Sequence, residues 1–150
     1  ISDVRILTSA LYTGNFTPPT ETLTAITNTS LLLNGTDASI IDKAQTSNLQ
    51  LVGNTTGSTT QVKFAGSKSM YFDGTGDYLA VSSSSTDYDL PADFTIEAWI
   101  YPTALSSDRI IVDTYNSSQA GSYQLYMHSA GRLVFYSQGD SWILQDPSTH

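Results

Sequence analysis

Cysteine is missing from all 150 residues, which closes off both a disulfide framework and thiolate chemistry. Cations are almost as scarce: 6 Lys and Arg stand against 14 Asp and Glu, for a net charge of −8. Phosphate recognition needs clustered cations, so nucleic acid is excluded as a partner, and an anionic membrane surface with it. No apolar run approaches the ~20 residues of a membrane-spanning helix, so no membrane insertion of that kind is expected, and no signal peptide is visible. Histidine is limited to His128 and His150, and no Gly-x-Ser-x-Gly elbow is present, which removes serine hydrolase chemistry and histidine-rich metal sites. Charged residues make up 13%, about half the ~25% of an ordinary soluble domain. Ser and Thr replace them, in runs such as Ser82-Ser83-Ser84-Ser85 and Ser58-Thr59-Thr60.

The informative stretch is residues 69–102, SMYFDGTGDYLAVSSSSTDYDLPADFTIEAWIYP. In SMYFDG, Met70 and Phe72 alternate with Ser69, Tyr71 and Asp73; Tyr78, Leu79 and Val81 then form a second segment dense in strand formers. Asp73-Gly74-Thr75-Gly76 between them supplies positive-φ positions, which predicts a hairpin. Further on, Phe94, Ile96, Ala98 and Ile100 fall on one strand face and Thr95, Glu97, Trp99 and Tyr101 on the other, until Pro102 ends the ladder.

In order along the chain, ISDVRIL at residues 1–7 reads as a strand with one weakly apolar face, and Pro18-Pro19 forces an extended exit from it. TSLLLNG is a short, continuously apolar strand. ASIIDKA reads as a single helical turn capped by Asp37. LQLVGN, RIIVDTY and SWILQD are further strands, and SYQLYMH with RLVFYSQ makes a hairpin about Ser129-Ala130-Gly131. In RIIVDTY, Ile110 and Val112 alternate with Ile111 and Asp113. Short strands at regular spacing with hardly any helix predict an all-β sandwich.

The order aromatic-Asp-Gly, tight turn, Asp-Tyr-Leu, then Asp-Phe-Thr-Ile-Glu-Ala-Trp resembles the signature of laminin G-like domains of the concanavalin A-like lectin/glucanase superfamily. The likeness runs on through RIIVDTY and YQLYMHSAGRLVFYSQGD, from about Asn28 to the end. It implies an antiparallel jelly-roll β-sandwich over 28–150. Residues 1–27 are then a terminal strand and Pro-containing linker, either the end of a preceding repeat or a permuted strand. In the family, several more strands follow the region matched here. The sandwich is therefore expected to be incomplete as given, completed by a neighbouring unit, or partly filled by ISDVRIL. The chain starts at Ile1 in place of Met, which fits a processed product or a piece of something longer; one slice of a long repeat protein, or a homo-oligomer, is the expected setting. The Ser/Thr-rich texture is similar to tandem modules of phage and bacterial surface proteins. That implies an extracellular or virion-surface location and one of two roles: adhesion to cell-surface glycans, or an architectural subunit that pairs with copies of itself.

A glycosidase on this architecture needs two flanking carboxylates, and glucan-cleaving members of the family carry Glu-x-Asp-x-x-Glu along one strand. Here Glu97 is followed at those spacings by Trp99 and Pro102, so the pair is missing and no enzyme is expected. No cofactor is required. Calcium is the one candidate ion, since the resemblance implies a rim site and Asp73 and Asp77 (with Asp87, Asp89 and Asp93) supply hard oxygen ligands; the plainer reading is that these aspartates are turn formers. For glycan binding, aromatic faces with neighbouring amides are the relevant chemistry. Trp99, Tyr115, Asn116, Gln124 and Tyr126 are the candidates, with Tyr101, Gln119 and Tyr136 nearby, and Trp99 has a plainer reading as core. Asn15, Asn28, Asn34, Asn54 and Asn116 sit in Asn-x-Ser/Thr triplets, which would accept glycans only in a suitable host.

Overall fold

Segments dense in Val, Ile, Leu, Tyr and Thr, cut by Gly, Asn and Ser, favour strands over helices. The computed structural model describes residues 1–36, 39–42, 48–81, 88–90, 92–139 and 144–145, and among these residues there is no α-helix. The strands are β1 (Asp3–Leu7), β2 (Thr29–Thr36), β3 (Ser39–Asp42), β4 (Leu49–Val52), β5 (Thr56–Ser58) and β6 (Ser69–Tyr71). They continue as β7 (Tyr78–Val81), β8 (Thr95–Ala98), β9 (Arg109–Asp113), β10 (Tyr123–Met127), β11 (Leu133–Ser137) and β12 (Leu144–Gln145). The chain divides into two compact units, Ile1–Tyr101 and Pro102–His150. The first holds a four-stranded sheet in the order β3-β2-β1-β8 and two strand pairs, β4-β7 and β5-β6; the second holds a sheet in the order β12-β11-β10-β9. Every pairing is antiparallel.

The first unit is built around β1. Its sequence suggests one weakly apolar face, yet all five residues are buried. The cause is position: β1 pairs with β2 on one side and with β8 on the other, so Arg5 stands opposite both Leu32 and Glu97. Val4, Ile6 and Leu7 pack with Leu31, Leu32 and Leu33, whose unbroken apolar run suits a strand covered on both faces. The polar residues of β1 are matched one by one. Asp3 accepts from Asn34 Nδ2 at 2.7 Å and from the Leu23 amide at 3.1 Å. Arg5 donates twice to Glu97 Oε2, from Nε at 2.6 Å and from Nη2, and donates from Nη1 to the Thr24 carbonyl at 2.8 Å. Leu23 and Thr24 belong to the segment leading from β1 to β2, so the same bonds hold that segment against the sheet.

Two expectations are corrected here. Residues 39–42 form strand β3 and not a helical turn, because β2 offers them a ladder from Leu33 to Thr36, and pairing outweighs a propensity too short to nucleate a helix. Asp37 lies outside the described residues. Nor do the strands flanking Asp73-Gly74-Thr75-Gly76 pair with each other: β6 pairs with β5 and β7 with β4. Gly74 and Gly76 do take positive φ, at 87° and 74°, but the turn is committed elsewhere. Asp77 accepts from the Asp73 amide at 2.8 Å and from the Asn54 amide at 2.8 Å. Asp73 in turn accepts from Asn54 Nδ2 at 3.0 Å and from the Thr75 amide at 2.7 Å. The β6–β7 turn is thereby buttoned to the β4–β5 turn. Gly53 makes the approach possible: its φ is 75°, and a Cβ there would lie 2.2 Å from Asp77 Oδ1.

Two outcomes are expected from these contacts. The side chains of Arg5 and Glu97 are only 7% and 12% exposed, so Arg5→Met, which leaves the carboxylate without its counter-charge, should cost about 3–5 kcal/mol in urea unfolding. The double variant Arg5→Met/Glu97→Leu should recover much of that loss. Hydrogen bonds from Asn54 and Thr75 hold the Asp73 carboxyl below its ordinary value of 3.8. The folded state therefore keeps this charge at a pH where the unfolded chain has already taken up the proton. The stabilisation is complete above the ordinary value and fades as pH falls through the lower folded one. Urea midpoints measured from pH 5 downward should show a shallower acid decline for Asp73→Asn than for the parent chain.

Candidate functional site

The sheet of the second unit turns two different faces outward from its strands. Residues directly opposite in a ladder share a face. Tyr123, Leu125 and Met127 of β10 therefore lie with Ser137, Phe135 and Leu133 of β11, and Tyr123 and Phe135 are buried and stacked at 5.7 Å. The other face carries Gln124 opposite Tyr136, and Tyr126 opposite Val134.

Strand β9 completes that second face in an unexpected way. Simple alternation separates Ile110 from Asp113, but the register slips between Leu125 and Tyr126, so that Asp113 opposes Gln124 while Ile110 opposes Tyr126. Ile111 is the extra residue of a β-bulge. Two cross-strand rows result, Tyr136–Gln124–Asp113 and Val134–Tyr126–Ile110.

Just beyond β9, the Tyr115 amide donates to Asp113 Oδ1 at 2.8 Å, which turns the chain back over the sheet. The Tyr115 ring comes to 5.6 Å from that of Tyr136, tilted by 58°. The Tyr136 hydroxyl donates to Gln138 Oε1 at 3.0 Å, and Gln138 Nε2 donates to the Ser117 carbonyl at 3.2 Å. Tyr115 is 40% and Ile110 49% exposed. Burial pushes the Tyr126 phenol above its ordinary pKa, with the Asp108 carboxylate adding to the shift and Arg132 opposing it. It stays a neutral hydroxyl that can donate.

The structure thus brings Tyr115, Gln124 and Tyr126 to one face. Asn116 is engaged in its own loop, where its Oδ1 accepts from the Ser118 amide at 3.0 Å and its amide donates to Ser122 Oγ at 2.9 Å. Trp99 lies in the other unit, half-buried. Its ring is edge-on to Phe64 at 6.1 Å, and Lys63 Nζ sits 4.1 Å from its centroid. It is therefore neither a sealed core residue nor a bare platform. Asp73 and Asp77 turn all four carboxylate oxygens to N–H donors. Asp89 and Asp93 are exposed, and Asp87 lies outside the described residues. Among the described residues no three His, Asp or Glu side chains converge on a metal-sized site.

Glu97 is fully engaged. Oε2 takes the two Arg5 bonds and Oε1 accepts from the Tyr12 hydroxyl at 2.6 Å. No second acid lines the groove beside it among the described residues. His128 braces the β10–β11 turn, with Nδ1 accepting from the Ala130 amide at 3.0 Å; His150 lies outside the described residues. Among the Asn-x-Ser/Thr triplets, Asn34 is buried on Asp3 and Asn54 is bonded to Asp73.

Sequence reasoning missed Asp113, hidden by the bulge, and also Tyr12 and Phe16. The signal for those two was a pair of aromatics four apart in LYTGNF, directly before Pro18-Pro19.

A family model described as the concanavalin A-like lectin/glucanases superfamily, of laminin G type, matches residues 73–148, just over half of the chain and all of the β9–β11 face. Neither the curated proteins nor the solved structures give a match. With its antiparallel, all-β construction, the chain belongs to the laminin G-like family of the concanavalin A-like superfamily and has the jelly-roll β-sandwich class of fold.

Proposed function

We propose that the chain is a non-enzymatic adhesion module that recognises glycans, carried on the outside of a virion or cell in a fibre, appendage or capsid decoration. The observation that carries this reading is the row Tyr136–Gln124–Asp113, half-buried at Tyr136 and Gln124 and exposed at Asp113, with the exposed Tyr115 ring set against it. Tyrosine faces offer CH-rich sugar faces an apolar seat, while the Gln124 amide and the Asp113 carboxylate are suited to the ring hydroxyls. Fixed strand positions hold the polar groups, so little ordering is needed on binding. The family's name spans both lectins and hydrolases, and the lectin half suits this chain: the Glu97 carboxylate is bound by Arg5 and Tyr12 and faces no partner acid among the described residues. Recognition in this reading does not pass through calcium, because Asp73 and Asp77 give their oxygens to N–H donors in a turn.

A glycan array run with and without calcium tests the proposal. The parent chain should bind a restricted set of glycans equally in both conditions. Tyr126→Ala and Tyr136→Ala should each weaken that binding about tenfold, the scale of one lost aromatic contact. Failure to bind any glycan would sink it.

A further inference from the structure

Strand β8 is the last of its sheet among the described residues, and its outer edge is built like the inside of a ladder. Trp99 exchanges backbone bonds with the β1 side, its amide donating to the Asp3 carbonyl at 3.2 Å and its carbonyl accepting from Ser2 at 2.9 Å. Antiparallel pairing alternates, so Ile96 and Ala98 direct their amides and carbonyls away from β1. Sheet edges are ordinarily blunted by Lys, Pro or a bulge. Strand β8 has no Lys or Pro, and its ladder with β1 runs without a register shift. We propose that this edge takes an extended peptide segment of another protein, added as an antiparallel strand beyond β8. The site is separate from the β9–β11 face and independent of the function proposed for it.

Space for such a strand lies beside the edge, in a groove of about 500 Å³ along β8. The segment that follows β1 is fastened to β8 through side chains alone. Thr95 Oγ1 accepts from the Leu11 amide at 2.9 Å and donates to the Ser9 carbonyl at 3.1 Å, and the Tyr12 hydroxyl donates to Glu97 at 2.6 Å. Those bonds leave the outward main chain of Ile96 and Ala98 unused. Tyr12 and Phe16, which stack at 3.9 Å, line the groove, and Phe16 is 55% exposed. A ring held in this way packs against β-branched side chains of an incoming strand.

The residues of β8 define the partner's chemistry. Opposed residues in a ladder share a face, so an added strand meets an apolar row at Phe94, Ile96 and Ala98 and a polar row at Thr95 and Glu97. Alternating Val and Thr answers both rows. Glu97 brings no net charge, because Arg5 neutralises it. Charge enters at the two ends instead. Exposed Asp93 directly precedes Phe94, while Lys63 Nζ sits 4.1 Å from the centroid of the Trp99 ring at the far end. An antiparallel partner therefore begins with a carboxylate beside Lys63 and finishes with a cation beside Asp93. Complementary ends of this kind fix direction and register together.

The test uses the full chain and the fluorescein-labelled peptide Glu-Val-Thr-Val-Thr-Val-Lys, whose length matches Asp93–Trp99. Anisotropy and calorimetry should show saturable binding. Methylating the main-chain nitrogens of its first two valines, which stand opposite Ala98 and Ile96, should weaken binding at least tenfold. Ala98→Pro should do the same, since it removes an N–H that faces away from β1; the methylated peptide gives this reading without altering the protein. The charge-swapped peptide Lys-Val-Thr-Val-Thr-Val-Glu should bind more weakly, and the double variant Asp93→Lys/Lys63→Glu should reverse that preference. Tyr136→Ala should leave every value unchanged, so failure here and failure of glycan binding are read separately. Urea midpoints confirm that each variant is folded. Absence of saturable binding, insensitivity to methylation, equal binding of the swapped peptide, or a preference that survives the double variant would each overturn the proposal. So would a dimer of the parent chain in sedimentation that Ala98→Pro dissolves, since that assigns the edge to a second copy.

Discussion

A strand paired along both edges and covered on both faces has no water left for its polar side chains. That condition governs the first unit, because β1 carries Asp3 and Arg5 into such a position. Each must find its complement from a neighbouring element, and each does: Asp3 through Asn34 and Leu23, Arg5 through Glu97 and Thr24. The arrangement specifies register as well as stability. Sliding β1 by one residue past β8 would take Arg5 from its carboxylate and leave both charges stranded, a penalty that apolar contacts alone would not impose. Glu97, the one residue that invited an enzymatic reading, is thus a structural counter-ion.

The parts of the fold legible in the sequence were those written in local pattern. The Leu31-Leu32-Leu33 run read as a short, continuously apolar strand, the β10–β11 hairpin was visible in its turn, and the signature beginning in SMYFDG indicated the family. What stayed hidden depended on partners distant in the chain. Ser39–Asp42 has no strong preference of its own and becomes a strand because β2 is beside it. The Gly-rich turn after Asp73 looked like a hairpin, and only the reach of Asn54 and Asp77 shows that it clasps another turn instead. ISDVRIL read only as a strand with one weakly apolar face, and the pairing of Arg5 was hidden because its partner lies 92 positions away.

The candidate site was legible in its residue types and illegible in its grouping. Tyr115, Gln124 and Tyr126 were recognisable as sugar-binding chemistry, and strand pairing does place them on one face. Trp99, singled out on the same grounds, stands in a different unit between Lys63 and Phe64. Asn116 has the right amide, but a turn uses its carbonyl oxygen. Composition names the chemistry that a surface can perform. Only the ladder register decides which groups perform it together.

That register hangs on a single surplus residue in β9. Ile111 lets Asp113 share a row with Gln124 and Tyr136 while Ile110 joins Tyr126. Closing the bulge, with Ile111 paired opposite Leu125, would put the aliphatic Val112 where Asp113 now stands at the edge of the row, with the sequences of β10 and β11 untouched. In the glycan-binding role proposed above, the bulge is thus a point at which a change of local backbone pairing, with no change in β10 or β11, would alter specificity on an unaltered scaffold.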